Sequence, residues 1–186
     1  MSTYHHGDLR GAALRAAGKV LEKEGLAALS LREVARRAKV SHNAPYRHFA
    51  DRESLLAALA AEGFELLGEA LANVPPARMG EAYVTFAVEN PQRFRLMFGG
   101  LLSLEKYPQL KARAAAAFAE VEKSFAGLGS DAPRAAAAAW SLVHGLSHLI
   151  LDGHFAAEQA GAGGTAAFVN TVVSGVRFAV RAQRSA

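Results

Sequence analysis

Residues Ser30 to Leu56 read SLREVARRAKVSHNAPYRHFADRESLL, and the pattern of this stretch decides the fold. Two short helix patterns stand on either side of a corner at Lys39-Val40. The first opens on Ser30, three residues before Glu33, a capping box in which side chains take orphan backbone N–H groups. Leu31, Val34 and Ala35 supply its buried stripe, and Ala38 ends it. Ser41 is placed to cap the second pattern, in which Ala44 and Phe49 turn inward. His42, Asn43, Tyr46 and Arg47 are left facing out, and Asp51 caps a third, long segment. Two short helices joined by a tight turn form a helix-turn-helix, whose second helix is narrow enough to enter the DNA major groove. Base edges carry distinct donor and acceptor patterns, which His42, Asn43 and Arg47 are suited to read. Tyr46, His48 and Arg52 suit phosphates. An ordinary solvated helical pair is the alternative that spacing alone leaves open.

Charge is distributed in keeping with this reading. Residues 1–54 hold ten Lys and Arg against six Asp and Glu, whereas residues 55–186 hold eleven against eleven, so the whole excess of +4 sits in the head. Lys and Arg release condensed counterions when they neutralise phosphates, which makes a basic head on a neutral body a footprint of polyphosphate binding. The 51% of hydrophobic residues allow a substantial core, and the Ala-rich, Gly-punctuated chain has few alternating β-branched runs, so an all-helical fold is expected. No cysteine is present, which excludes disulfides and thiolate metal sites. The opening MSTYHHGDLR has no apolar signal region, and the expected compartment is the cytoplasm. Ala135 to Leu151 lacks formal charge but is short and carries two histidines, so it reads as a buried helix and no membrane partner is expected.

Nine helical segments follow from periodicity, caps and breakers. Asp8 to Glu24 carries Leu14, Ala17 and Leu21 at helical spacing and is stopped by Gly25. After the reading pair, a linker helix runs from about Arg52 to Asn73, with Leu56, Leu59, Leu66 and Leu67 toward a core and Pro75-Pro76 as its breaker. Ala77 to Glu89 is one helix, and Asn90-Pro91 opens another that ends at Gly99-Gly100. Gln109 to Ala126, Asp131 to Leu151 and Thr165 to about Ala182 complete the set. The expected domains are a head over residues 1–54 and a ligand and dimerisation body over 55–186. In the last helix Phe168, Val172, Gly175 and Ala179 form one apolar stripe, and Val169, Val173, Val176 and Val180 form another. A helix apolar on two faces needs two neighbours, and a partner chain in a C2 homodimer supplies the second.

These motifs together resemble the TetR family of transcriptional regulators. The likeness in the head rests on LRGAALRAA, SLREVARRA, VSHNAPYRHF and DRESLL. The body resembles a TetR ligand domain of the Trp-His-Gly subtype, with Trp140, His144 and Gly145 in AWSLVHGLSHLILDG and with AYVTFAVENPQRFRLMF. The resemblance implies a nine-helix homodimer whose heads bind successive major grooves of palindromic, double-stranded operator DNA, as a repressor released by a small-molecule effector. By position, Ser30, Tyr46, His48 and Arg52 match phosphate contacts, and His42, Asn43 and Arg47 match positions facing base edges, with Lys39 and Ser41 completing the DNA-binding set. Two residues depart from the family pattern. Lys39 stands where Gly is common and is expected to take a left-handed conformation at about 1 kcal/mol, and Pro45 stands where an apolar residue such as Leu is usual.

For the effector, Phe86, Phe94, Met97, Phe98, Phe118 and Trp140 are the large apolar groups available to line a cavity, with His144 and His148 as polar handles. The expected ligand is hydrophobic or aromatic. His144 and His148 share a helical face with Asp152, but zinc needs three or four ligands and neither cysteine nor an HExxH glutamate accompanies them, so no metal and no cofactor is expected. Ser147 lies beside these histidines without a nucleophile elbow, which leaves no catalytic case. A DNA-binding dimer that answers to no effector remains open.

Overall fold

The computed structural model describes residues 8–155 and 164–175. Among them are eight α-helices and no strand: α1 Leu9–Glu24, α2 Leu31–Arg37, α3 Arg52–Ala72, α4 Met79–Glu89, α5 Pro91–Phe98, α6 Pro108–Lys123, α7 Ala132–Leu151 and α8 Gly164–Gly175. The expected all-helical fold is therefore observed. Eight of the nine expected helical segments are α-helices, and the ninth, Ser41 to Phe49, is a chain of tight turns described below.

Local chemistry accounts for most of the boundaries. The Asp8 carboxylate accepts from the Gly11 N–H at 2.9 Å to start α1, and Gly25, with φ 79°, sends its N–H to the Leu21 carbonyl to close it. Asp51 and Ser54 cap α3 reciprocally, the Ser54 N–H meeting Asp51 Oδ1 at 2.7 Å and the Asp51 N–H meeting Ser54 Oγ at 3.1 Å. Pro91 opens α5 where a missing N–H costs least.

The described residues fall into two compact units, and packing rather than chain order sets their limits. The first comprises residues 8–65 with 90–114, so α5 is grouped with the head helices. Its centre is built by α1, α2 and the start of α3, where Leu21, Leu29, Val34, Leu55 and Leu59 are almost wholly buried. Arg93 of α5 lies buried within this unit, its Nη1 2.8 Å from Glu62 of α3. Glu22 of α1 accepts from the N–H groups of Gln92 and Arg93, at 3.2 and 2.8 Å, and so completes the first turn of α5. Gly18 and Gly63 make room: a Cβ at Gly18 would lie 2.7 Å from Arg93 Nη2, and one at Gly63 would lie 2.6 Å from Met97 Sδ and 3.1 Å from Arg93 Cγ.

The second unit comprises residues 66–89, 115–155 and 164–175. Here α4 packs against α7 and α8, and Gly80 brings them close, since a Cβ there would lie 3.2 Å from Val173 and 3.3 Å from Val143. Leu67 and Leu71 are buried, while Leu66, expected inward, is 39% exposed because it falls at the edge of the apolar stripe. On α8 the Val169 and Val173 stripe serves the chain's own core: Val169 is 1% exposed and Val173 meets Gly80. Phe168 and Val172, on the other stripe, are half-buried, and the Phe168 ring packs against Phe155 at 5.4 Å. Gly175 ends α8; Val176, Ala179 and Val180 lie outside the described residues.

Candidate nucleic-acid interface and body cavity

The outward row of the head is set by two backbone devices. Ser30 caps α2, its Oγ accepting from the Glu33 N–H at 3.2 Å. The Glu33 carboxylate does not close the capping box; it binds the guanidinium groups of Arg36 and Arg37, which hold its carboxyl down at about 2. At the other end of α2 the N–H of Val40 bonds the Ala35 carbonyl at 3.1 Å and that of Lys39 bonds the Arg36 carbonyl at 3.2 Å. That pairing is a Schellman motif, and it requires Lys39 to adopt φ 55°, the left-handed conformation expected of it.

Beyond the corner the expected recognition helix is not an α-helix. Pro45 has no N–H to give the Ser41 carbonyl, which accepts instead from Ala44 at 2.9 Å, and the chain tightens into a 3-10 turn over Pro45–Arg47. Pro45 and Phe49 are buried, so Pro45 rather than the half-buried Ala44 anchors the turn beside Phe49. His42, Asn43, Tyr46, Arg47 and His48 are all exposed. Among the described residues, no hydrogen bond or ion pair engages the side chains of His42, Asn43, Tyr46 or Arg47.

The arginines around this row divide sharply. Arg36 and Arg37 are held by Glu33, with Glu24 also on Arg37, and Arg15 is held by Asp8. Arg10 lies 5.7 Å from the centre of the Phe49 ring. Arg52, expected at a phosphate, donates to the Leu29 and Leu26 carbonyls at 2.7 and 2.6 Å and so ties the start of α3 to the chain before α2. Arg47 and Arg32 remain exposed and, among the described residues, unengaged. Arg32 was not among the residues the sequence singled out, although its place two residues after the cap of α2 was a usable signal.

In the second unit a cavity of about 130 Å³ opens among Leu71, Pro76, Met79, Gly80, Tyr83, Val121, Ser124, Phe125, Ala139, Trp140, Leu142, Val143 and Val173. One hydrogen-bonded chain runs along its wall. Trp140 Nε1 donates to the Tyr83 hydroxyl at 2.9 Å, and that hydroxyl lies 2.9 Å from His144 Nδ1. Burial pushes the Tyr83 hydroxyl above its ordinary value, against the smaller downward pull of the Trp140 hydrogen bond, so the phenol keeps its proton. Burial, then the charge of His148, lowers His144, and a neutral imidazole can accept a hydrogen bond from the Tyr83 hydroxyl at Nδ1.

Residues 13–59 match the family profile described as bacterial regulatory proteins, tetR family, and residues 76–173 match that described as tetracyclin repressor-like, C-terminal domain. The chain belongs to the TetR family. Among solved structures, a protein of unknown function from Rhodococcus sp. RHA1 is 33% identical over 94% of each chain, with a TM-score of 0.75. The TetR family transcriptional regulator PfmR from Thermus thermophilus is 23% identical over 89% of this chain and 99% of its own, with a TM-score of 0.57. The multidrug binding protein EbrR, complexed with imidazole, is 22% identical over 96% and 99%, with a TM-score of 0.61, and like PfmR it shares the fold. No curated protein matches the chain.

The residues expected at the effector pocket of this TetR-family protein are dispersed. Trp140 lines the cavity, His144 reaches it through Tyr83, and Phe118 stacks on Trp140 at 5.1 Å between ring centres. The His148 ring lies 4.7 Å from that of His144, and Phe86 is buried on α4. Phe94, Met97 and Phe98 belong to the first unit, where Phe94 is 0% exposed and stacks on Phe98 at 4.8 Å. Tyr83, Gly80 and Phe125 line the cavity and were missed, because neither spacing nor polarity marks a cavity wall formed by residues distant along the chain. Among the described residues no group of three or more His, Asp or Glu is arranged to hold a metal ion, and no helix is long and apolar enough to cross a membrane.

Proposed function

We propose that this TetR-family regulator is a homodimeric repressor that binds a palindromic operator and leaves it when a small hydrophobic or aromatic molecule enters the body. The observation that carries the reading is the exposed row His42, Asn43, Tyr46 and Arg47, presented on a turn anchored by Pro45 and Phe49. His42, Asn43 and Arg47 read base edges, while Ser30, Lys39, Ser41, Tyr46 and His48 contact the phosphate backbone. Arg52 braces the head from within, and its remaining donors can still face a phosphate. Residues 1–54 act as the DNA-binding domain and 55–186 as the ligand and dimerisation domain, with the body of the Trp-His-Gly subtype. Dimerisation uses the Phe168 and Val172 stripe of α8, which the sequence continues through Gly175 and Ala179, with Val176 of the neighbouring stripe beside them.

Two heads must sit about 34 Å apart to meet successive major grooves, and an effector acts by favouring another arrangement. A release of about 150-fold needs roughly 3 kcal/mol of preference for the non-DNA state. Selection of bound sequences from random duplex DNA, followed by salt titration on the winner, tests the reading. Enrichment of a palindrome with half-sites about one turn apart is expected. On that palindrome Asn43→Ala relaxes base preference, whereas Tyr46→Ala weakens all sequences alike. Weak, salt-sensitive binding without enrichment would defeat the proposal.

A further inference from the structure

The body cavity specifies the chemistry of its occupant, an inference that deepens the effector reading and rests on it. Its walls are apolar, with Leu71, Met79, Val121, Val143 and Val173 contributing aliphatic surface, and among the described residues no Lys, Arg, Asp or Glu lines it. An ionised ligand would therefore shed its water with no counter-charge to receive it. The polar atoms on the wall are already joined to protein: Trp140 to the Tyr83 hydroxyl, that hydroxyl to His144, and Ser124 Oγ to the Val121 carbonyl at 2.7 Å. A ligand rich in hydrogen-bonding groups would have to break these bonds without repairing them.

Size and shape narrow the class further. An apolar cavity of roughly 150 Å³ holds one benzene molecule, and this one measures about 130 Å³. Tyr83, Phe125 and Trp140 place three aromatic rings on the wall, surfaces that favour an aromatic guest through edge and offset contacts. We propose that the cavity takes an uncharged, single-ring aromatic hydrocarbon of toluene's size and rejects anionic rings of the same shape.

Trp140 is the only tryptophan of the chain and lines the cavity, so its fluorescence reports occupancy directly. The full-length protein is titrated with toluene and with benzoate. Toluene is expected to give a saturable change in Trp140 emission at a concentration at least tenfold lower than benzoate. Ala139→Leu, which fills the cavity from α7, is expected to weaken toluene at least tenfold while helical circular dichroism is kept; should it fail to fold, Val173→Phe serves the same purpose. No saturable response up to the aqueous solubility of toluene, a tighter response to benzoate, or an unchanged response in a folded cavity-filling variant each overturns the proposal. Anisotropy of the labelled, selected operator separates the two readings. Toluene that fills the cavity but leaves the operator bound preserves the ligand class and defeats the effector role. Release by benzoate with no response to toluene does the reverse.

Discussion

Two helix junctions in this molecule are notched by glycine and filled in opposite ways. In the first unit, Gly18 and Gly63 admit Arg93, a buried cation whose Nη1 is paired to Glu62 at 2.8 Å while its own α5 is capped by Glu22. In the second, Gly80 admits the edges of Val143 and Val173, and beside them about 130 Å³ stays unfilled. A charged junction fixes one geometry, because its ion pair and hydrogen bonds tolerate little displacement. An apolar junction with spare volume can repack around a guest, because dispersion contacts are non-directional. The unit that carries the DNA-facing row thus holds a charge-locked junction, and the unit proposed to meet a ligand holds an apolar one.

The strongest test of this contrast is a pair of truncations compared by denaturant unfolding at fixed protein concentration. Phe94→Ala, at a wholly buried site on α5, is expected to cost about 4 kcal/mol, and Val143→Ala, beside the cavity of the second unit, about 1 kcal/mol. Equal costs would mean that the cavity wall is packed as tightly as the head. Arg93→Ala is expected to cost about 3 kcal/mol, since it opens a void beside Gly18 and Gly63. Restoring most of that loss with Arg93→Met would show that volume rather than charge sets the junction.

Smaller effects probe the glycines. Gly63→Ala places a methyl 2.6 Å from Met97 Sδ and is expected to destabilise by about 1–2 kcal/mol despite the gain in helix propensity. Gly80→Ala, with its nearest neighbours at 3.2 and 3.3 Å and room beside them, should change stability by less than about 0.5 kcal/mol. The least expected effect concerns pH. His144 is lowered by burial and by His148, so its neutral form stabilises the fold above the ordinary value of 6.5, and that contribution is lost as pH falls below it. His144→Asn keeps an acceptor for Tyr83 but cannot titrate. The drop in Tm between pH 8 and pH 5.5 should shrink in this variant, and an unchanged drop would assign the pH dependence to other groups.

The reading row was legible because its signals are local. Ser30, Lys39, Pro45 and Asp51 each act within four residues, and the outward positions of His42, Asn43 and Arg47 follow from the inward Phe49. What misled was also local: Pro45 suited the first turn of a helix, yet its missing N–H turned the whole segment to 3-10 geometry. The fate of Arg52 could not be read from spacing, because its acceptors, Leu26 and Leu29, lie more than twenty residues back along the chain.

By itself the sequence determined most of the helix boundaries outside the turn at Pro45, the all-helical class, and which family the chain joins, since caps, prolines and apolar periodicity act through neighbours along the chain. Only the tertiary structure decided which side chains meet. Tyr83 bonds His144 across 61 positions and Trp140 across 57, Arg93 reaches Glu62 across 31, and the cavity exists only where α4, α7 and α8 meet the end of α3 and the end of α6 without filling the space between them. Those contacts depend on the volumes and crossing of whole helices, a property that no single segment encodes.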